Sequence, residues 1–435
     1  MKRFRQLSRS KKVAFGLALV ILVFAVTELI SWGGLYLLAP DFSFEKLRGN
    51  QEAIARGGIL ETDTSESIHP YTGWVFNPQL SPGISFGGKM VPVNEFGLVD
   101  DQSSIQKRAA GRLIIGVTGG SVSWQVATVA RKEFRTIIQN DPRFSRHEVI
   151  VLRIGLPGWK QPQQLMALNW LYSLGAEFDA VVNIDGYNEA VLSIEENYHG
   201  TAHTAYPRSW EFRSQDIVDP REYATTFELF RIRSERQAAA RAMLDSPFRW
   251  SSTRNLIWQV SERNFIDRRV KIGDHLLAAH RESPSFVHAG PAQSFENEEA
   301  VEAEVVRLWQ ETSRQCDYIC RGNRSVYLHA LQPNQYLPGS KPISEWEREN
   351  SYLPEKSESE VVARTYPKMI VSGQTLQTEG IRFLDLTMLF ADETEPIYAD
   401  PWCHYNEAGN SRVAQVIAKE LVKILPDPAT PATTK

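Results

Sequence analysis

The residues best suited to chemistry in this sequence stand at the ends of apolar runs. Thr118-Gly119-Gly120-Ser121-Val122-Ser123-Trp124 follows one run directly. Its two glycines let the backbone turn tightly and leave room for a ligand over the Ser121 amide. A serine just past the carboxyl end of a parallel strand holds its hydroxyl at the rim of a sheet, where ligands collect. A second run ends in Arg153-Ile154-Gly155-Leu156-Pro157-Gly158-Trp159, and a third in Asp185-Gly186-Tyr187-Asn188-Glu189. Late in the chain, Ala399-Asp400-Pro401-Trp402-Cys403-His404-Tyr405-Asn406 precedes Glu407-Ala408-Gly409 and a helical pattern. Each segment alone is commoner as a turn than as a site. Together, at one sheet edge, their residue types suit nucleophilic chemistry by a hydroxyl. Two other motifs fit less well: Ser123 stands where a G-x-S-x-G elbow needs its second glycine, which disfavours that reading, and the phosphate-loop reading fails because no Lys-Ser or Lys-Thr follows at its spacing.

The elements that must position these loops are five β-like runs, 112–117, 148–154, 180–184, 325–331 and 381–386, with helical patterns between them. Strands alternating with helices predict an α/β fold with a mainly parallel sheet covered on both faces. About 140 residues separate the third and fourth runs, far more than one crossover helix needs, so an insertion is expected at about 195–300. Its stretch from Glu222 to about Leu277 is rich in arginine and aromatics and reads as helices, either a hairpin packed on the core or a lid or partner surface. Val301, Val305, Leu308, Trp309, Cys316, Ile319 and Cys320 share one helical face, which makes the two cysteines core residues. Either could pair with Cys403, and an odd count leaves at least one thiol free or intermolecular. No metal or other cofactor is expected: zinc needs more ligands at tighter spacing, and His199 with His203 reads as solvated loop.

In its ordered blocks the chain resembles the SGNH hydrolases, also called the GDSL esterase and lipase family. The serine block reads Gly119-Gly120-Ser121, the glycine block contains Gly158, the third reads Gly186-Tyr187-Asn188-Glu189, and the last carries His404. The segment from His69 through Tyr71, Gly73, Trp74 and Pro78 to Asn94-Glu95-Phe96-Gly97 resembles the lead segment of membrane-anchored members. The resemblance implies a three-layer αβα sandwich of SGNH or flavodoxin-like type over 106–425 and a Ser121-His404-Asp400 triad. It also implies an oxyanion hole made of the Ser121 and Gly158 amides and the Asn188 side chain. In such a triad histidine is the general base, aspartate fixes its tautomer, and each oxyanion donor stabilises the tetrahedral intermediate. Ser123 is the rival nucleophile, and Gly155 competes with Gly158. Three departures stand out: Gly120 replaces the family aspartate, Glu189 replaces the aspartate after the asparagine, and Asp400 lies one residue earlier than a D-x-x-H motif requires.

The two ends of the chain differ from its body. Lys2, Arg3, Arg5, Arg9, Lys11 and Lys12 occupy the first 12 residues without an acid, which leaves a body of 42 basic against 52 acidic groups. Such a body has no positive field to attract nucleic acid. Val13 to Leu38 is 26 residues interrupted only by Glu28; as a helix of about 39 Å it exceeds a hydrocarbon core of about 30 Å. A basic tip (1–12), a transmembrane anchor (13–38), a lead segment (39–105), the α/β domain (106–425) and a disordered tail (426–435) are therefore expected. The positive-inside rule keeps Met1 cytoplasmic and places the domain outside. Glu28 requires either a partner helix or access to water. The expected function is a membrane-anchored, extracytoplasmic serine esterase or acyltransferase. Its partners would be the membrane, an acyl-ester substrate (family analogy includes acetyl esters of envelope glycans) and a membrane partner protein. The alternative is a catalytically degenerate member that binds glycan or serves envelope assembly, a reading motivated by the shifted Asp400 and the arginine-rich insertion.

Overall fold

The computed structural model describes residues 8–38, 42–55, 66–79, 81, 83–86, 88–214, 223–282 and 285–427. Lys2, Arg3 and Arg5 of the basic tip, and the expected tail from 428 onward, lie outside the described residues. The chain divides into two compact units, 1–65 with 218–278, and 66–217 with 279–435.

The second unit is α/β. Two short antiparallel pairs, β1 (Glu66–His69) with β2 (Gly73–Phe76) and β3 (Ile84–Phe86) with β4 (Lys89–Val91), precede the main sheet. That sheet contains β5 (Arg112–Gly119), β6 (Glu148–Arg153), β7 (Ala180–Asp185), β8 (Val326–Leu331) and β9 (Phe383–Asp385). All five strands are parallel, in the order β6-β5-β7-β8-β9. The interior of β5 and the whole of β7 are buried, as the near-continuous apolar runs of parallel strands require. Because β6 lies to one side of β5 and β7 to the other, the chain reverses its direction of travel across the sheet between β5 and β7. In open parallel sheets the loops after two such strands are where ligands bind.

Two helices carry the ends of the site. In Ser121–Gln139 the residues Val122, Val126, Ala130, Phe134 and Ile138 recur every fourth position and are buried; in Glu407–Ile424 the same is true of the Val413, Ala414, Ile417, Ala418 and Leu421 stripe. These two helices pack against each other. The lead segment from Glu66 belongs to this unit: Trp74, Val75, Phe76, Leu98 and Val99 enter its core, and Asp100 accepts the Arg153 amide (2.7 Å) and an Arg131 Nη2 donor (2.5 Å). Cys316, Cys320 and Cys403 are all free and buried, so neither expected pairing with Cys403 is formed.

The first unit is helical. It holds Arg9–Leu38, Phe44–Ala55, Tyr223–Leu244 and most of Ser252–Glu282. Of these, Ser10–Leu38 is long and apolar enough to cross a membrane. Leu47 and Ile54 pack with Ala240, Met243 and Trp258 in a small separate core, and the Arg236–Glu262 pair (2.5 Å) is buried beside it. The insertion is thus divided. Its central hairpin closes a core with residues 44–55, whereas its flanks belong to the α/β unit.

Candidate active site

Ser121 is the first residue of its helix, immediately after the Gly119-Gly120 turn that ends β5. Gly119 has φ +138°, and a Cβ there would stand 2.1 Å from the Ile184 carbonyl oxygen on β7, so a side chain is excluded. The Ser121 amide lies in the first helical turn, where N–H groups have no intrahelical acceptor and the helix end is positive. Ser123 is buried and donates to the Gly120 carbonyl (2.7 Å). Its hydroxyl fastens the turn and is turned away from the rim, which removes it as a rival nucleophile.

His404 and Asp400 come from the loop between β9 and the helix Glu407–Ile424. His404 Nε2 is 2.6 Å from Ser121 Oγ, and His404 Nδ1 contacts Asp400 Oδ2. The other carboxylate oxygen, Oδ1, accepts the Trp402, Cys403 and His404 amides at 3.0, 3.2 and 3.4 Å. Burial alone would push the Asp400 carboxyl up. The His404 bond and charge, with the Trp402 and His404 amides, outweigh it and hold the carboxyl below its usual range. Asp400 therefore reaches His404 despite its displaced position in the sequence. A hydroxyl bonded to an imidazole whose far nitrogen is held by a carboxylate can lose its proton as it attacks.

The loops after the neighbouring strands β6 and β7 carry Gly158 and Asn188. Gly158, in the loop after β6, has φ +85°. Gly155 serves the serine turn instead. A Cβ there would meet the Gly119 carbonyl at 2.4 Å and Ser123 Oγ at 2.5 Å, so only glycine admits the close approach of that turn. Asn188 opens a π-helical segment, Asn188–Tyr198, just past β7 and Gly186. One of its two amide donors goes to the Trp159 carbonyl (2.8 Å). Its Nδ2 also lies 2.2 Å from where a Cβ on Gly120 would be. The structure thereby brings Asn188 over the turn that presents Ser121, and Gly120 is what makes room for it.

Beneath these loops lies a buried polar network. Glu189 accepts the Gly186 amide (2.8 Å), the Gln161 amide (3.0 Å) and Gln164 Nε2 (2.9 Å). It ties the loops after β6 and β7 together. Burial, with negative Asp185 nearby, pushes its carboxyl up to about 8, so Glu189 does not keep the full negative charge that the sequence suggests. Asp185 accepts from Trp309 Nε1 (2.8 Å) and Asn183 Nδ2 (2.6 Å), and its Oδ1 lies 2.8 Å from His329 Nε2. Burial opposes its charge, but His329 and these donors hold it below its ordinary value. Lys160 is fully buried; its Nζ donates to the Thr204 carbonyl (2.5 Å) and burial pulls the amine down to about 7.

Several site residues carry no motif. Arg208 lies along Gly158, its Cδ 2.5 Å from a would-be Cβ there, and is held by Glu196 through Nε (3.1 Å) and Nη2 (2.5 Å). Asn334, Gln335 and Tyr336, after β8, bond the Trp402, Asp400 and Pro401 carbonyls at 3.0, 3.0 and 2.6 Å. The only sequence signal for them is a polar cluster past a strand end. Among the described residues no group of three or more His, Cys, Asp or Glu side chains could hold a metal ion. His199 faces Glu298 (3.3 Å) and Glu195 (3.7 Å), while His203 Nδ1 accepts the Ala205 amide (3.1 Å). No family model and no curated protein matches the chain.

Proposed function

We propose that this protein is a membrane-anchored serine esterase or O-acyltransferase of SGNH type. Its α/β unit would be a three-layer αβα sandwich of flavodoxin-like strand order, working on the extracytoplasmic side. The observation that carries the reading is the continuous chain from Ser121 Oγ through His404 to Asp400 at the carboxyl end of β5. Ser121 attacks the acyl carbonyl as its proton passes to His404 Nε2. The ester bond then breaks as His404 returns that proton to the leaving alcohol. Water completes hydrolysis of the acyl-enzyme, or an acceptor hydroxyl completes transfer. The Ser121 and Gly158 amides and the free Asn188 amide hydrogen meet the oxyanion, each such donor lowering the barrier by about 3 to 4 kcal/mol.

The anchor helix and its basic tip support the extracytoplasmic placement. Family analogy supports acyl esters, acetyl included, of envelope glycans as the substrate class. The alternative, a degenerate glycan-binding or assembly protein, drew support from the displaced Asp400; the contact of Asp400 with His404 favours the enzyme instead. A fluorophosphonate should label Ser121 in the folded parent and fail to label Ser121→Ala. A folded parent that resists labelling and leaves aryl acetates unhydrolysed would overturn the proposal.

A further inference from the structure

Glu28 interrupts the otherwise apolar stretch 13–38 of the first helix, and a carboxylate at that depth is expensive unless it is satisfied. Its partners lie within the same unit. Oε1 accepts Ser251 Oγ (2.6 Å) and the Thr253 amide (3.4 Å), and Oε2 accepts the Ser252 amide (2.6 Å). Ser252 begins a helix of 31 residues, so the anion sits where a helix end offers free N–H groups and positive potential. Further contacts advance together along both helices. Thr253 Oγ1 donates to Ser31 Oγ (3.0 Å), Leu256 Cδ2 lies 3.1 Å from a would-be Cβ on Gly34, and Arg263 Nη2 donates to the Leu38 carbonyl (2.7 Å). The two helices therefore run in the same direction from Glu28 onward. The turn preceding Ser252 accordingly lies at the level of Glu28 or on its N-terminal side.

Counted from Val13, a hydrocarbon core of about 30 Å takes about 20 residues and ends near Trp32. Glu28 is then about 6 Å inside that edge at about 1.5 Å per residue. At this height a continuous series of ring contacts runs Trp32, Tyr36, Phe42, Phe44, Trp250, with centroids 4.8, 5.5, 5.1 and 6.2 Å apart. Trp250 is 55% exposed and Phe248, at the tip of the turn, 61%. The guanidiniums of Arg48 and Arg249 lie 5.4 and 6.0 Å from the Trp250 ring. Aromatic rings with snorkelling arginines are the composition of a bilayer interface, where rings sit at headgroup level and cations meet phosphates.

We infer that the turn 245–251 is a second membrane contact, with Phe248 and Trp250 seated in the outer-leaflet interface of a phospholipid bilayer. The inference rests on the anchor reading of residues 13–38. It makes the hairpin 223–282 a strut fixed to the bilayer at Glu28 and at its own tip.

The test uses the full chain in phosphatidylcholine nanodiscs with one nitroxide at a time, on Phe24→Cys, Phe248→Cys or Tyr318→Cys. Tyr318 is exposed on the α/β unit and is the aqueous reference. The native thiols are buried, so labelling is confined to the introduced site. Power-saturation measurements compare access of oxygen with that of a water-soluble nickel chelate. Nickel access at position 248 should be reduced about tenfold from that at 318, with oxygen access retained, as for a site at the hydrocarbon edge. Nickel access at 248 equal to that at 318, with 24 protected, would overturn the inference and leave the anchor standing. Protection of 248 from both reagents, with dipolar broadening between labels, would mean a second copy covers the turn and would also overturn it. Free nickel access at 24 would remove the anchor reading and this inference together.

Discussion

The site turns on one missing methyl group. In Gly120→Ala the new Cβ would stand 2.2 Å from Asn188 Nδ2, 3.3 Å from its Cγ and 3.0 Å from the Trp159 carbonyl oxygen. The last of these is backbone and yields little, so the Asn188 amide must retreat by more than about 1 Å to reach ordinary contact, and its 2.8 Å bond to Trp159 breaks. A displacement of that size in a positioned donor is equivalent to losing it. The expected loss is about 10² to 10³ in kcat, roughly 3 to 4 kcal/mol, with a smaller change in KM. Asn188→Ala should cost the same. In the double variant Gly120→Ala should add almost nothing, giving a coupling energy of about 3 kcal/mol. The assay is p-nitrophenyl acetate hydrolysis on all four proteins, with thermal midpoints to establish that each is folded. A Gly120→Ala enzyme within about twofold of the parent would refute the placement of Asn188 over Ser121, as would costs that multiply in the double variant.

Asp400→Asn removes the charge behind His404 and favours the wrong tautomer. Steady-state hydrolysis should show a loss of about 10⁴ in kcat with the fold retained. Ser123→Ala leaves the Gly120 carbonyl without its 2.7 Å donor; chemical denaturation should show a loss of about 1 kcal/mol, while fluorophosphonate still labels Ser121. Glu189 titrates ordinarily at 4.5 and at about 8 in the folded protein, so its protonated form is the one that folding favours. Its contribution is complete below pH 4.5 and is lost as pH rises through about 8. Lys160, pulled from 10.5 to about 7, acts in the opposite sense above pH 7, so the informative quantity is the midpoint of the parent minus that of Glu189→Gln. That difference should fall between about pH 5 and about pH 8 and level off above it, and a difference independent of pH would sink the assignment.

The sheet could be read from the sequence because burial on both faces writes parallel strands as unbroken apolar runs. All five expected strands form, with shifted ends. The run read to Val117 continues to Gly119, whereas the run read as 381–386 pairs only over Phe383–Asp385, where a single neighbour, β8, supplies the ladder. The division of the insertion was not readable, because Leu47 and Ile54 find Ala240, Met243 and Trp258 across nearly two hundred residues of chain. No local pattern records such a pairing. Around the Ser121 turn, Ser121, Asn188 and His404 were visible because each stands in a loop after a strand. Trp159 was not, since it contributes a backbone carbonyl. Arg208 was not either, since it reaches Gly158 from a segment without a repeat or motif.

The displaced aspartate shows what fixes the geometry of the Asp400–His404 contact. If a short turn alone set the angle between Asp400 and His404, one extra residue would rotate the carboxylate out of reach. Here the loop is held from outside. Tyr398 bridges Tyr405 across its neck, and Glu347 Oε1 accepts the Ile397 and Tyr398 amides at 2.9 and 3.0 Å. Burial would raise the Glu347 carboxyl, but its Lys341 partner and these amides bring it down to about 2, so this clamp keeps its charge across any physiological pH. Asn334, Gln335 and Tyr336 then fix three consecutive carbonyls, those of Trp402, Asp400 and Pro401. With its carbonyls held, the loop has its amides directed inward, and Asp400 Oδ1 collects three of them while Oδ2 faces His404. The extra residue is absorbed in that inward arc. The orientation of His404 is therefore a property of the β8 loop as much as of Asp400, and a D-x-x-H spacing is one way of achieving such a contact, not a requirement for it.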